Sequence, residues 1–253
     1  TLATALFKLF RPSIPFILNL QYGESEKRLS AGRLGVNGLA FRFMLGQADQ
    51  VTAISSYLLN LARKYGYRGS AEVIPNGADI ERFANNGSKD TSRTGKVVIT
   101  TSRLVPKNGV DILIKAIAEV KKKIPDIQLR IVGDGPEKKS YQLLVTSYQL
   151  QDNIKFFGNV PHDEVPRHLH EADVFARPSR SEGMGNSFVE ALAAGLPIIG
   201  TPVGGITDII EDPSMGSGQA TGLFCKPEDP KDLAEKIVKL LTDRNLAEKI
   251  ASE

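Results

Sequence analysis

From Lys96 onward, strand-length apolar runs alternate with helical stretches, a pattern that few architectures accept. The runs are residues 97–101 (VVITT), 127–132 (IQLRIV), 154–157 (IKFF), 174–176 (VFA), 197–200 (PIIG) and 222–225 (GLFC). Helical patterning covers residues 109–123, 137–148, 164–170, 230–241 and a stretch from Asn245. One more helix follows Asn186 and carries Glu190 in its first turn. Strands alternating with helices of this length specify βαβ units, hence a parallel sheet with helices on both faces. The expectation is an α/β domain over residues 96–253.

The first third reads differently. Residues 2–10 (LATALFKLF) form a helix that the prolines at 12 and 15 end. Residues 14–20 (IPFILNL) are a continuous apolar run, expected as a strand buried on both faces. A polar loop at 21–28 leads into a basic amphipathic stretch to about Leu45, with Arg28, Arg33 and Arg42. Gly32, Gly35 and Gly38 weaken it as a helix, and a stretch of this kind suits either a membrane surface or an ordinary solvated face. Residues 49–55 form a strand, Ser55 or Ser56 caps a helix over 57–64, and 72–75 form a further short strand. Residues 85–95, rich in Asn, Ser, Thr, Gly and charge, are the natural linker between residues 1–84 and 96–253.

Composition narrows the class. A chain of 253 residues suits one or two domains, at about 100–200 residues each. No apolar run approaches the roughly 20 residues that span a bilayer. The single cysteine, Cys225, excludes an internal disulfide, fits a reducing compartment and reads as a small buried strand residue. The net charge of +3 is concentrated in residues 1–88, with 10 Lys/Arg against 6 Asp/Glu. That basic excess suits an anionic acceptor, anionic lipid or an ordinary solvated face. His162, His168 and His170 read as surface residues, the latter two facing apart at i, i+2. No D-x-D tripeptide is present, and no G-x-G-x-x-G opens a helix after a strand, which argues against a dinucleotide-dependent oxidoreductase.

Ligands of open parallel sheets sit beyond the carboxyl ends of the strands, so the post-strand loops hold the chemistry. The stretch RPSRSEGMGNSFVEALAAGLPIIGTPVGG, residues 177–205, passes through a glycine-bearing turn into a helix. Backbone N–H groups free at that helix start, with about half a positive charge from the dipole, bind anions such as phosphate. Glu182 and Glu190 stand seven residues apart across that turn. A carboxylate is acceptor-only and takes two sugar hydroxyls at once.

As a block this stretch resembles the E-x7-E signature of retaining glycosyltransferases of the glycosyltransferase family 4 type. These have the GT-B architecture, two Rossmann-like parallel-sheet domains. The segment IPNGADIERF, residues 74–83, is similar to that family's interdomain segment. The loop SRLVPKNGVD, residues 102–111, resembles its G-R-L-x-x-x-K-G segment, whose Arg and Lys grip a nucleotide-sugar diphosphate. Arg103 matches the Arg; Asn108 stands at the usual Lys position, and Lys107 one place earlier either swings in or is a solvated loop residue. GDGP, residues 133–136, resembles the loop near the nucleoside, and GNVPH, residues 158–162, the segment whose backbone meets the nucleobase.

The resemblance covers residues 48–253 well and 12–47 loosely, with the first domain only partly present. It implies transfer of a hexose from a UDP- or GDP-sugar to a glycan, lipid-linked or polysaccharide acceptor, with retention of anomeric configuration. Glu182 would accept hydrogen bonds from the transferred sugar, and Glu190 would bind the ribose. Arg103 and Lys107 would stabilise the departing diphosphate. Gly133, Gly135, Val160, Pro161, Gly183, Met184, Gly185, Asn186 and Ser187 would complete the donor site. No cofactor, no metal and no nucleic acid are implied; the setting would be cytoplasmic, with peripheral contact at the inner membrane face. The rival reading is a donor-binding module without turnover.

Overall fold

The computed structural model describes residues 2–21, 23, 36–84, 96–215 and 220–252. The expected linker, residues 85–95, lies outside the described residues, as do Arg28 and Arg33 of the basic stretch. The chain divides into two compact units. One comprises Thr1–Asn76 with Ser181–Met184 and Gly204–Asp208; the other comprises Gly77–Arg180, Gly185–Val203 and Ile209–Glu253.

In the first unit the described strands are β1 (Ile17–Leu20), β2 (Gln50–Ala53) and β3 (Ser70–Val73), parallel in the order β1-β2-β3. The 14–20 run is not buried on both faces: β1 alternates, with Leu18 and Leu20 buried and Ile17 59% exposed. Alternation is what a strand with one covered face shows, so the apolar run over-stated its burial. The helix Val36–Gln47 forms despite Gly38, which is buried within it. Ser55 caps the helix Ser56–Lys64, accepting from the Leu58 N–H at 3.3 Å.

The second unit holds β4 (Val97–Thr101), β5 (Gln128–Val132), β6 (Ile154–Gly158), β7 (Val174–Arg177), β8 (Ile198–Gly200) and β9 (Gly222–Phe224). They form one parallel sheet in the order β6-β5-β4-β7-β8-β9. β4 and β7 are buried along their whole length, as the apolar runs required. The helix Val110–Lys121 buries Val110, Ile112, Leu113, Ile114, Ala116, Ile117 and Val120 in the core, beside the helix Pro230–Thr242 with Leu233, Ile237 and Leu240. Each fully buried aliphatic side chain contributes about 1.5–3 kcal/mol. Cys225, just after β9, is buried as expected, and burial pushes its thiol up to about 12.

The sheet order places β4 and β7, which are adjacent, at the point where the winding reverses. In doubly wound sheets this switch point is where a crevice opens beyond the strand ends. Here the loop after β4 carries Arg103 and Lys107, and β7 runs out through Pro178, Ser179 and Arg180.

Candidate donor-binding site

The loop after β4 is built from hydrogen bonds that leave it little freedom. The Leu104 N–H donates to Asp134 O at 2.9 Å, and the Val105 N–H to Arg103 O at 2.9 Å. A single 3-10 turn, Pro106–Asn108, follows. Asn108 is 5% exposed, and its Nδ2 donates to the carbonyl oxygen of Arg103 at 2.7 Å. The residue at the usual lysine position is therefore an internal latch. Arg103 is exposed and Lys107 half-buried, so the two cations sit on the turn that Asn108 closes.

Gly109 ends the turn at φ +69°, and a Cβ there would collide with the carbonyl oxygen of Pro178. The turn is thus pressed onto the segment that leaves β7. Arg180 completes the junction. Its backbone N–H donates to Lys107 O at 2.7 Å, and its Nη1 to Pro106 O at 2.5 Å. The guanidinium then forks onto Asp111, with Nη1 to Oδ1 at 2.8 Å and Nη2 to Oδ2 at 2.7 Å. Glu228 takes Nε at 2.5 Å and Nη2 at 3.0 Å. Burial alone would raise the Asp111 carboxyl, but the paired hydrogen bonds and charge of Arg180 outweigh it and hold it below its ordinary value.

The loops after β5 and β6 meet each other. The Gly133 N–H donates to Gly158 O at 2.7 Å. Gly133 has φ +129°, and a Cβ would collide with Ser102 O on the loop after β4. Gly135 lies similarly close to Leu104 O. The structure therefore brings Arg103, Gly133, Gly135 and Gly158 together at the carboxyl ends of β4, β5 and β6. Val160 is half-buried and Pro161 exposed, one and two residues beyond Asn159.

The helix after β7 runs over Asn186–Ala193, so Glu190 lies in its second turn rather than its first. The helix begins at Asn186 itself rather than after it, because Gly185 at φ +95° holds the N-cap position. Asn186 and Ser187 open the helix. Ser187 Oγ accepts from Arg177 Nη1 at 2.6 Å. Arg177 is 6% exposed and lies over the Phe188 ring at 4.8 Å. Glu190 Oε1 is 3.0 Å from His162 Nε2.

Of the three histidines expected at the surface, His162 is exposed, whereas His168 and His170 are half-buried. His162, although exposed, touches Glu190 and lies against Phe83, with ring centroids 5.6 Å apart. His170 Nε2 donates to Phe83 O at 2.8 Å. His168 packs edge-on to Phe157 at 4.7 Å and is half-buried, with burial holding its pKa down. Phe83 is 1% exposed, and Ile80–Phe83 groups with the second unit.

Glu182, Gly183 and Met184 group with the first unit. Ser55 Oγ, the cap of Ser56–Lys64, also donates to Gly183 O at 2.6 Å. The Asn76 N–H donates to Met184 Sδ at 3.3 Å, and the Gly205 N–H to Glu182 O at 3.3 Å. Glu182 itself accepts from the Gly183 N–H at 3.3 Å.

Sequence reasoning missed Arg180, Arg177 and the latch role of Asn108. A charge ending the apolar run into β7 was the available sign for Arg177. Nothing in the sequence marked Arg180 as paired with Asp111. Among the described residues, no group of three or more His, Cys, Asp or Glu is placed to hold a metal ion. No helix among them is long and apolar enough to cross a membrane.

A doubly wound sheet with a basic turn and a helix start at its switch point defines a Rossmann-like domain of the GT-B class. Residues 81–253 match the family described as Glycosyl transferases group 1, and the chain belongs to that family. It is 34% identical over 199 residues to the GDP-mannose-dependent alpha-(1-6)-phosphatidylinositol monomannoside mannosyltransferase of Mycolicibacterium smegmatis, covering 73% of this chain and 52% of that one. It is also 34% identical over 214 residues to the monoacylated alpha-(1-6)-phosphatidylinositol monomannoside mannosyltransferase of Corynebacterium glutamicum, covering 78% and 54%. The crystal structure of Anabaena HepE in complex with UDP superposes with a TM-score of 0.85 at 25% identity, covering 99% of this chain and 69% of that one. The chain spans about half the length of the curated relatives it matches.

Proposed function

We propose that this chain is the donor-binding part of a retaining glycosyltransferase that moves a hexose from a GDP- or UDP-sugar to a lipid-linked or glycan acceptor. The observation that carries the reading is the junction at the switch point. There a turn bearing Arg103 and Lys107 stands at the end of β4, next to the strand that leads to the helix Asn186–Ala193. Two cations on a hydrogen-bonded loop and a helix start offer donors for the charge that develops as a nucleoside diphosphate departs.

In this reading Glu190 holds the ribose hydroxyls and Glu182, assigned by its place in the motif, holds the hexose. The glycines at 133 and 135 let backbone approach the nucleoside, and Val160 and Pro161 read the base through main-chain groups. The names of the two mannosyltransferase relatives support a GDP-hexose and a phosphatidylinositol-type acceptor, and the HepE complex supports a UDP-sugar. Metal-free action is part of the proposal, and a chelator should leave donor binding unchanged.

The test is incubation of the chain with radiolabelled GDP-mannose or UDP-glucose and a phosphatidylinositol-based acceptor. Transfer with an α-linkage from the α-linked donor supports the reading; a β-linked product contradicts retention. Donor binding with no transfer to any acceptor favours a binding module.

A further inference from the structure

Arg180 is a charged residue on the segment leaving β7, yet every interaction the structure gives it points away from a ligand role. Asp111 takes its two terminal nitrogens in a bidentate fork, and Glu228 takes Nε and Nη2. With two carboxylates on it, the guanidinium is neutralised locally, and its Nε, Nη1 and Nη2 groups are all engaged. Its remaining bonds all go to the backbone of the neighbouring turn: Nη1 to Pro106 O and its own N–H to Lys107 O. The turn is held from the other side by Asn108 and from above by the close approach of Gly109 to Pro178.

We propose that Arg180 is a positioning residue for donor recognition, setting the Pro106–Asn108 turn so that Lys107 is presented to the distal phosphate. This inference rests on the donor reading of the switch-point loops. The bidentate fork fixes the guanidinium in position as well as in charge, so lysine cannot replace it. Asp111, at the start of the helix Val110–Lys121, anchors the fork to the domain core. The consequence is a chain of command from core to phosphate: Asp111 orients Arg180, Arg180 holds the turn, and the turn aims Lys107.

A double-mutant cycle read with two nucleotide probes tests it. Nucleoside monophosphate reports the base and ribose contacts; the diphosphate adds the distal phosphate. Titrations with GMP, GDP, UMP and UDP would be made on the wild-type chain, Lys107→Ala, Arg180→Lys and the double variant, with a melting curve for each. Asp111→Asn serves as a second variant should Arg180→Lys melt too low to titrate. Loss of a charge-assisted hydrogen bond corresponds to about tenfold in affinity. Each single variant should lose about that much for the diphosphate while its monophosphate affinity stays unchanged. The double variant should lose no more than Lys107→Ala alone. Multiplying losses in the double variant, or equal losses for mono- and diphosphate in Arg180→Lys, would overturn the inference while leaving the donor reading intact. A folded wild-type chain that binds none of the four nucleotides would overturn both.

Discussion

The side-chain amide of Asn108 donates to the carbonyl oxygen of Arg103 across 2.7 Å, closing the loop that carries both candidate phosphate-binding cations. Asn108→Ala leaves the part-buried Arg103 carbonyl with one partner fewer and a small void where the buried amide stood. It should cost about 1–3 kcal/mol of stability, read from the midpoint of a urea titration. Asn108→Lys, which restores the residue type usual at this position, should not recover stability, because the side chain is 5% exposed and a lysine there buries its charge.

Gly109 is the second element of the same turn. Alanine there combines φ +69° with a collision against Pro178 O. The left-handed backbone and the displaced turn together should cost about 2 kcal/mol or more. A thermal melt checks the stability, and diphosphate titration should weaken in step, since moving the turn moves Lys107.

The Asp111–Arg180 fork gives a pH dependence with a definite sign. The folded Asp111 carboxyl lies below its ordinary value of 3.8. Its contribution is therefore fully present above that value and is lost as pH falls through the lower, folded one. Both partners are partly exposed, with side-chain accessibilities of 24% and 31%, so solvent screening keeps the effect modest. Asp111→Asn should flatten the acid limb of the stability curve below about pH 4. An unchanged acid limb in that variant would contradict the pairing.

The two motif glutamates should separate by ligand. Glu190→Gln should weaken binding of the bare nucleoside diphosphate, because its partner in the proposed donor complex is the ribose. Glu182→Gln should weaken the sugar nucleotide more than the bare diphosphate. A tenfold change is about 1.4 kcal/mol, within reach of calorimetry for either residue. Equal effects of both changes on GDP or UDP affinity would count against the assignment.

Much of the second unit was legible because period and length both pointed one way. β4 and β7 are apolar runs that the sheet buries entirely. Gly133 stands where backbone meets backbone, in keeping with its place in a tight turn after a strand. Other features depend on partners distant in sequence, and local patterning cannot carry them. β1 looked buried on both faces, yet it has one covered face, and which face is covered is decided by neighbouring elements. Arg180 pairs with a carboxylate 69 positions earlier and another 48 positions later, so no spacing rule could name it. Asn108 read as a departure from a motif because its burial, the fact that explains it, exists only in the folded loop.

In the proposed donor complex the loops at the carboxyl ends of β4, β5 and β7 bind a nucleoside diphosphate through Arg103 and its neighbours. Calorimetric titration of the chain with GDP, UDP and ADP, beside Arg103→Ala, measures that binding. Saturable binding of GDP or UDP, weakened about tenfold or more in the variant, is the predicted result and identifies the base. Binding that Arg103→Ala leaves unchanged, or none by a chain shown to be folded, would contradict it.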